Sequence, residues 1–214
     1  MSGVSAPRLA VLHVRGTLRQ LVYAATCVST LVGLAARPTE GQAVNMSVEV
    51  PADLQYTLLT RILTFDRSMS ALSGTELNIA LVHQPGYPDS RDFAREFESA
   101  WRSTTIRELQ GKPIRFVTIE LADLAGLERD LAARTMDIVI IAPLRALSAS
   151  AVIDAARRSG ARTVAAVPGY VEEGAAVGFA VQGGKARIRI NLTSARAEGS
   201  DFEAKLLQLA EVIR

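Results

Sequence analysis

Residues able to do chemistry are few and scattered. The 214-residue chain has two histidines, His13 and His83, and one cysteine, Cys27. A single thiol can make neither an internal disulfide nor a cysteine-rich zinc site. Gly183-Gly184-Lys185 is like the end of a phosphate-binding loop, but Phe179 stands where the leading glycine is needed and Ala186 where a Ser or Thr would hold magnesium. No Gly-x-Gly-x-x-Gly follows the first apolar run, and neither a Gly-x-Ser-x-Gly elbow nor His-Glu-x-x-His occurs. A serine triad would rest on His83 alone. The chemistry left is binding. His83, Tyr87, Arg145 and Tyr170 fall in stretches that each follow an apolar run, at 83–89, 143–147 and 168–170, with another such stretch at 120–123. In an open α/β sheet such loops gather at the carboxyl ends of the strands, and these four side chains are the ones suited to a small polar or anionic ligand there. The same loops also read as plain connections, with Pro and Gly serving turn geometry. No cofactor and no metal is expected.

Those loops need strands and helices to hold them. Leu54, Leu58, Ile62 and Phe65 recur at spacings of three and four and predict an opening helix with one apolar stripe, broken near Gly74. Leu77 to Val82 follows as a strand, and His83 to Pro88 as a rigid loop whose Asp89 or Ser90 can cap a helix carrying Phe93, Phe97, Ala100 and Trp101. Ile114 to Ile119 is a second strand. Asp123 opens a helix with Leu124, Leu127 and Leu131, and Ile138 to Ala142 is too apolar to have a wet face, as in parallel strands covered on both sides. Ser148 is placed to cap a helix over 151–158, and Thr163 to Val167 is a fourth buried strand. Val177 to Val181, Gly183-Gly184 and Lys185 to Leu192 alternate as an antiparallel hairpin at an exposed or edge position. Ser200-Asp201-Phe202-Glu203 has the form of a capping box, and Phe202, Leu206, Leu209, Ala210 and Ile213 form the stripe of a closing helix. The fold class is therefore α/β: a single-domain layered sheet over residues 52–214, mostly parallel, with a C-terminal antiparallel hairpin and a closing helix.

The first 43 residues are a separate object. Arg8, Arg15 and Arg19 precede an apolar stretch from Leu21 to Ala36, and small residues follow, which is the form of a cleavable export signal. Cleavage after Ala43 is favoured over cleavage after Ala35, because Arg37-Pro38 would hinder the latter. The alternative is a single uncleaved anchor, for which the stretch is short against the roughly 20 residues of a spanning helix; once the segment is cleaved, no stable membrane insertion is expected. Residues 1–43 hold four of the 24 basic residues (Arg8, Arg15, Arg19, Arg37) and one of the 22 acidic ones (Glu40). The exported chain then has 20 bases against 21 acids, net charge −1, with no clustered basic footprint for nucleic acid. It also loses Cys27 and His13, which removes thiol chemistry and any multi-histidine metal site.

The run Gly184-Lys185-Ala186-Arg187-Ile188-Arg189-Ile190-Asn191-Leu192, then Ala195-Arg196-Ala197-Glu198-Gly199 and Lys205-Leu206-Leu207-Gln208-Leu209-Ala210, resembles the closing signature of the YfiR family, a strand ending in Ile-Asn and a last helix reading Leu-Leu-x-Leu-Ala. A weaker resemblance extends over 54–214. It implies a periplasmic, non-enzymatic domain of periplasmic-binding-protein-like topology that represses an inner-membrane diguanylate cyclase by binding the cyclase's periplasmic region, or acts beside a sensor kinase; a homodimer is among the alternatives. Asn191, Lys205 and Leu206 match the motif with roles expected to be structural. The family commonly follows its first helix with Trp-Pro, where this chain has Phe65-Asp66-Arg67-Ser68-Met69. Its best-known branch carries disulfides, which this chain cannot form. A second class of function stands beside the regulator: a periplasmic small-molecule receptor that uses the loops at the strand ends.

Overall fold

The computed structural model describes residues 47–213. The expected export segment, with His13 and Cys27, lies outside the described residues. Every residue of Ile138–Ile141 is at most 1% exposed, so this strand must be covered on both faces, and the sheet is built around it. The strands are β1 (Leu77–His83), β2 (Glu108–Leu109), β3 (Lys112–Glu120), β4 (Ile138–Ile141), β5 (Arg162–Ala165), β6 (Val177–Gln182), β7 (Lys185–Asn191) and β8 (Glu211–Ile213), hydrogen-bonded in the order β2-β3-β1-β4-β5-β6-β7-β8. From β3 to β6 the neighbours are parallel, with Ile79 opposite both Phe116 and Ile138. The expected hairpin is β6–β7, antiparallel from Val177↔Ile190 to Gln182↔Lys185.

The helices are α1 (Ala52–Thr64), α2 (Pro88–Ser103), α3 (Leu124–Arg134), α4 (Ala149–Arg158), α5 (Leu192–Ala197) and α6 (Ala204–Leu209). Strand alternation sorts the core into two layers. Ile79, Leu81, Ile138 and Ile140 pack with α1 and α2 through Leu59, Ile62, Phe93 and Phe97. Ala80, Val82, Val139 and Ile141 pack with α3 and α4 through Leu127, Leu131, Val152 and Ile153. Each buried Val, Leu, Ile or Phe in these layers contributes about 1.5–3 kcal/mol by leaving water.

Several local expectations are corrected. The buried stripe of α1 is Tyr56, Leu59, Ile62 and Leu63, whereas Leu54 is 39% exposed. Gln55 sets that rotation: its side-chain amide donates to the Val50 and Ala166 carbonyls at 2.9 and 3.1 Å. Neither Asp89 nor Ser90 caps α2, which starts on Pro88 at a position where a missing N–H costs nothing. Ser148 occupies the N-cap of α4 without a capping bond from its side chain. Strand β2 was not foreseen; Gln110 and Gly111, at φ 48° and 78°, turn it onto β3. The closing helix is the six-residue α6, after which the chain becomes β8 on the edge of β7.

The expected capping box is spent elsewhere. Asp201 binds the Arg67 guanidinium through two bonds at 2.9 and 2.7 Å, and Ser200 Oγ accepts from Arg162 Nε at 3.2 Å. Fully buried Asp66 accepts from Ser68 N, Ser68 Oγ and Asp201 N at 3.0, 2.6 and 2.9 Å, with Arg162 Nε 3.5 Å from its other oxygen. The segment after the first helix is thus a polar clamp on the C-terminal region. A second clamp is Glu198, which accepts the N–H and the hydroxyl of Thr163, both at 2.7 Å, while Thr163 Oγ1 accepts from Ala176 N at 2.9 Å.

Candidate functional site

Strand β1 lies between β3 and β4, so the chain leaves it first to one side and then crosses to the other. The connections after β1 and β4 therefore diverge, which is where open α/β sheets hold ligands. A cleft of about 360 Å³ is found there, lined by Gln84–Tyr87 after β1, Leu121 and Ala122 after β3, and Arg145 and Ala146 after β4.

Of the four residues expected to serve a ligand, the structure brings Tyr87 and Arg145 together on the cleft wall. The Arg145 guanidinium carbon is 5.9 Å from the centre of the Tyr87 ring, within range of a cation–π contact. The Tyr87 hydroxyl donates to Asp89 at 2.7 Å, and that bond holds the phenol above its ordinary pKa. Tyr170 does not line the cleft. It is 1% exposed, its hydroxyl accepts Leu144 N–H at 2.7 Å, and burial raises its pKa. His83 does not line the cleft either. It is the last residue of β1 rather than the first of a loop, opposite Glu120 on β3, and its carbonyl accepts Leu121 N–H at 2.8 Å. Burial lowers its pKa against the pull of Glu120 and Glu98, and its Nδ1 is buried without a hydrogen-bond partner.

Gln84 is the residue that the sequence reading passed over. Its carbonyl accepts Tyr87 N–H at 3.1 Å, closing the Pro85-Gly86 turn, and its own N–H donates to Ser90 Oγ at 2.8 Å. Its Oε1 accepts Arg145 N–H at 2.6 Å and Ala146 N–H at 3.3 Å. Two N–H donors fix which end of the carboxamide is oxygen. Three consecutive N–H groups after β4, those of Leu144, Arg145 and Ala146, are thus held by two side chains from other loops. The signal available was position: a carboxamide one residue past β1, beside the point where the connections part.

The motif residues make contacts within the fold. Asn191 caps α5, its Oδ1 accepting Ser194 N–H at 3.0 Å while its Nδ2 donates to the Val171 carbonyl at 3.2 Å. Leu206 is buried, and the Lys205 ammonium lies 5.9 Å from the Phe65 ring centre. Among the described residues no three His, Cys, Asp or Glu side chains come together as a metal site, and no helix is long and apolar enough to cross a membrane.

The α/β fold is shared with solved structures. A conserved domain protein from Vibrio cholerae O1 biovar El Tor strain N16961 superposes with TM-score 0.55 at 16% identity, covering 78% of this chain and 61% of that one. The ABC domain from Streptococcus pneumonia, solved in complex with L-Trp, gives TM-score 0.52 at 13% identity, covering 76% and 62%. The chain spans about three fifths of the length of these solved chains, and at such identities the likeness is one of fold. No curated protein matches. The family described as YfiR/HmsC-like matches residues 53–211, nearly the whole of the sheet and its helices. The chain belongs to the YfiR/HmsC-like family.

Proposed function

We propose that this protein is an exported, non-enzymatic regulator that binds the periplasmic part of an inner-membrane signalling protein and represses it, a diguanylate cyclase first and a sensor kinase second. The observation that carries the reading is the family match over residues 53–211. The YfiR-like family is periplasmic and regulatory, and it supports a role in cyclic-di-GMP signalling in general. In this reading residues 1–43 are the export signal, removed before the domain meets its partner.

The second reading, a small-molecule receptor, is favoured by the cleft itself, whose wall carries Tyr87 and Arg145. The two separate by direct binding. The exported protein, purified from the periplasm, is passed over immobilised periplasmic regions of the cyclases and sensor kinases of its own bacterium. Saturable binding to a cyclase region is expected; binding to none of them contradicts the regulator.

A further inference from the structure

The cleft at the switch point contains a donor set that is assembled but self-occupied. Arg145 and Ala146 aim adjacent backbone N–H groups at one point, and the oxygen found there is Gln84 Oε1, at 2.6 and 3.3 Å. Gln84 is 7% exposed, whereas the two residues it binds are exposed, so the carboxamide has been brought out of water to reach them. Arg145 lines the same cleft as Gln84, and its guanidinium makes no ion pair among the described residues and rests 5.9 Å from the Tyr87 ring centre. The carboxylate of Asp89, two residues past Tyr87, accepts from the Tyr87 hydroxyl at 2.7 Å. Two converging N–H groups with an uncommitted guanidinium match the needs of an oxygen bearing negative charge, since hydrogen bonds to ionised acceptors are about twice as strong as neutral ones. A neutral amide oxygen uses the donors but leaves the cation without a counter-charge.

We infer that the N–H groups of Arg145 and Ala146, with the Arg145 guanidinium, form an oxyanion site that the Gln84 carboxamide closes from within, and that a small carboxylate or phosphate opens it by displacing Gln84. Gln84 is thereby a built-in competitor. The resting domain holds its own side chain, and a ligand must outbid it. This site stands on the cleft alone, so its failure and the failure of the partner-binding reading are separate results.

The test uses the exported protein as wild type, Gln84→Ala, Gln84→Glu, and Gln84→Ala combined with Arg145→Ala, melted in sodium phosphate, sodium acetate and sodium chloride of matched ionic strength. Phosphate stabilises most folded proteins by exclusion from their surface, so the result is read as a difference between variants. At about 50 mM phosphate or acetate the Gln84→Ala protein is expected to gain about 3 °C more than the double variant, and wild type less than Gln84→Ala. A gain in both anions assigns the site to carboxylates as well as phosphates, and a gain in phosphate alone assigns it to phosphoryl groups. Equal gains in the single and double variants overturn the inference. Gln84→Glu places a carboxylate on the same donors without any added ligand, and keeps the test decisive if the alanine variant does not fold. It is expected to melt at or above wild type at low salt, with the advantage shrinking as salt rises. Melting below wild type overturns the site.

Discussion

The hydroxyl of Tyr170, on the turn that follows β5, accepts the N–H of Leu144, on the loop that follows β4, at 2.7 Å. A residue whose place in the sequence suggests ligand contact is therefore a brace between two loops. Tyr170→Phe keeps the buried ring and removes only the acceptor. It is expected to cost about 1–2 kcal/mol, or a few degrees in Tm. Unchanged stability would show that the loop does not depend on this bond.

The two aspartates beside Arg67 separate burial from proximity. Asp66 is fully buried and gathers three donors, whereas the Asp201 side chain is 58% exposed and Arg67 is 61% exposed. Asp66→Ala removes the counter-charge of the buried Arg162 guanidinium and the acceptor of the Asp201 N–H, and is expected to cost about 3–5 kcal/mol. Asp201→Ala breaks only an ion pair in water and is expected to change little. Chemical denaturation of both variants checks the contrast, and comparable losses would contradict it.

Gly178 is needed for space. A Cβ at this position would collide with Val171 Cγ2 and would stand 3.6 Å from the Ala165 Cβ. Gly178→Ala is expected to cost about 1–3 kcal/mol through overpacking. Adding Val171→Ala should recover part of that loss, and a double variant no better than the sum of the two single changes would refute the contact.

Stability should depend on pH through two groups of opposite sense. Burial holds the His83 imidazole below its ordinary 6.5, so the unfolded chain binds its proton first, and stability is lost as pH falls from 6.5 through the depressed value. Burial holds the Glu198 carboxyl above its ordinary 4.5, so the folded chain binds that proton first, and stability rises as pH falls from the raised value toward 4.5. Urea unfolding between about pH 7.5 and about pH 5.5 should show a smaller acid loss in His83→Gln than in wild type. Identical slopes would mean that His83 is not desolvated.

The parallel core was legible because its strands are unbroken apolar runs. Ile138 to Ile141 can only be covered on both faces, and a strand of that kind implies helices above and below it. What stayed hidden was set by partners distant in sequence. The rotation of α1 depends on Gln55 reaching the Ala166 carbonyl. The stripe Phe202, Leu206, Leu209 runs on to Ile213 in the sequence, but the open edge of β7 at Arg189–Asn191 takes the last residues as β8. At the cleft, the loops were legible from where the apolar runs stop. The roles inside them were not, because residue type does not reveal that Gln84 turns back onto the Arg145 and Ala146 N–H groups or that Tyr170 is buried beneath Leu144.

The proposed repression is tested most directly by cellular cyclic-di-GMP. The measurement compares a clean deletion with the same strain complemented by the full chain and by a version lacking residues 1–43. The account predicts a rise on deletion that the full chain reverses and the shortened version does not. An unchanged level across several growth conditions, or full reversal by the version lacking residues 1–43, would contradict it.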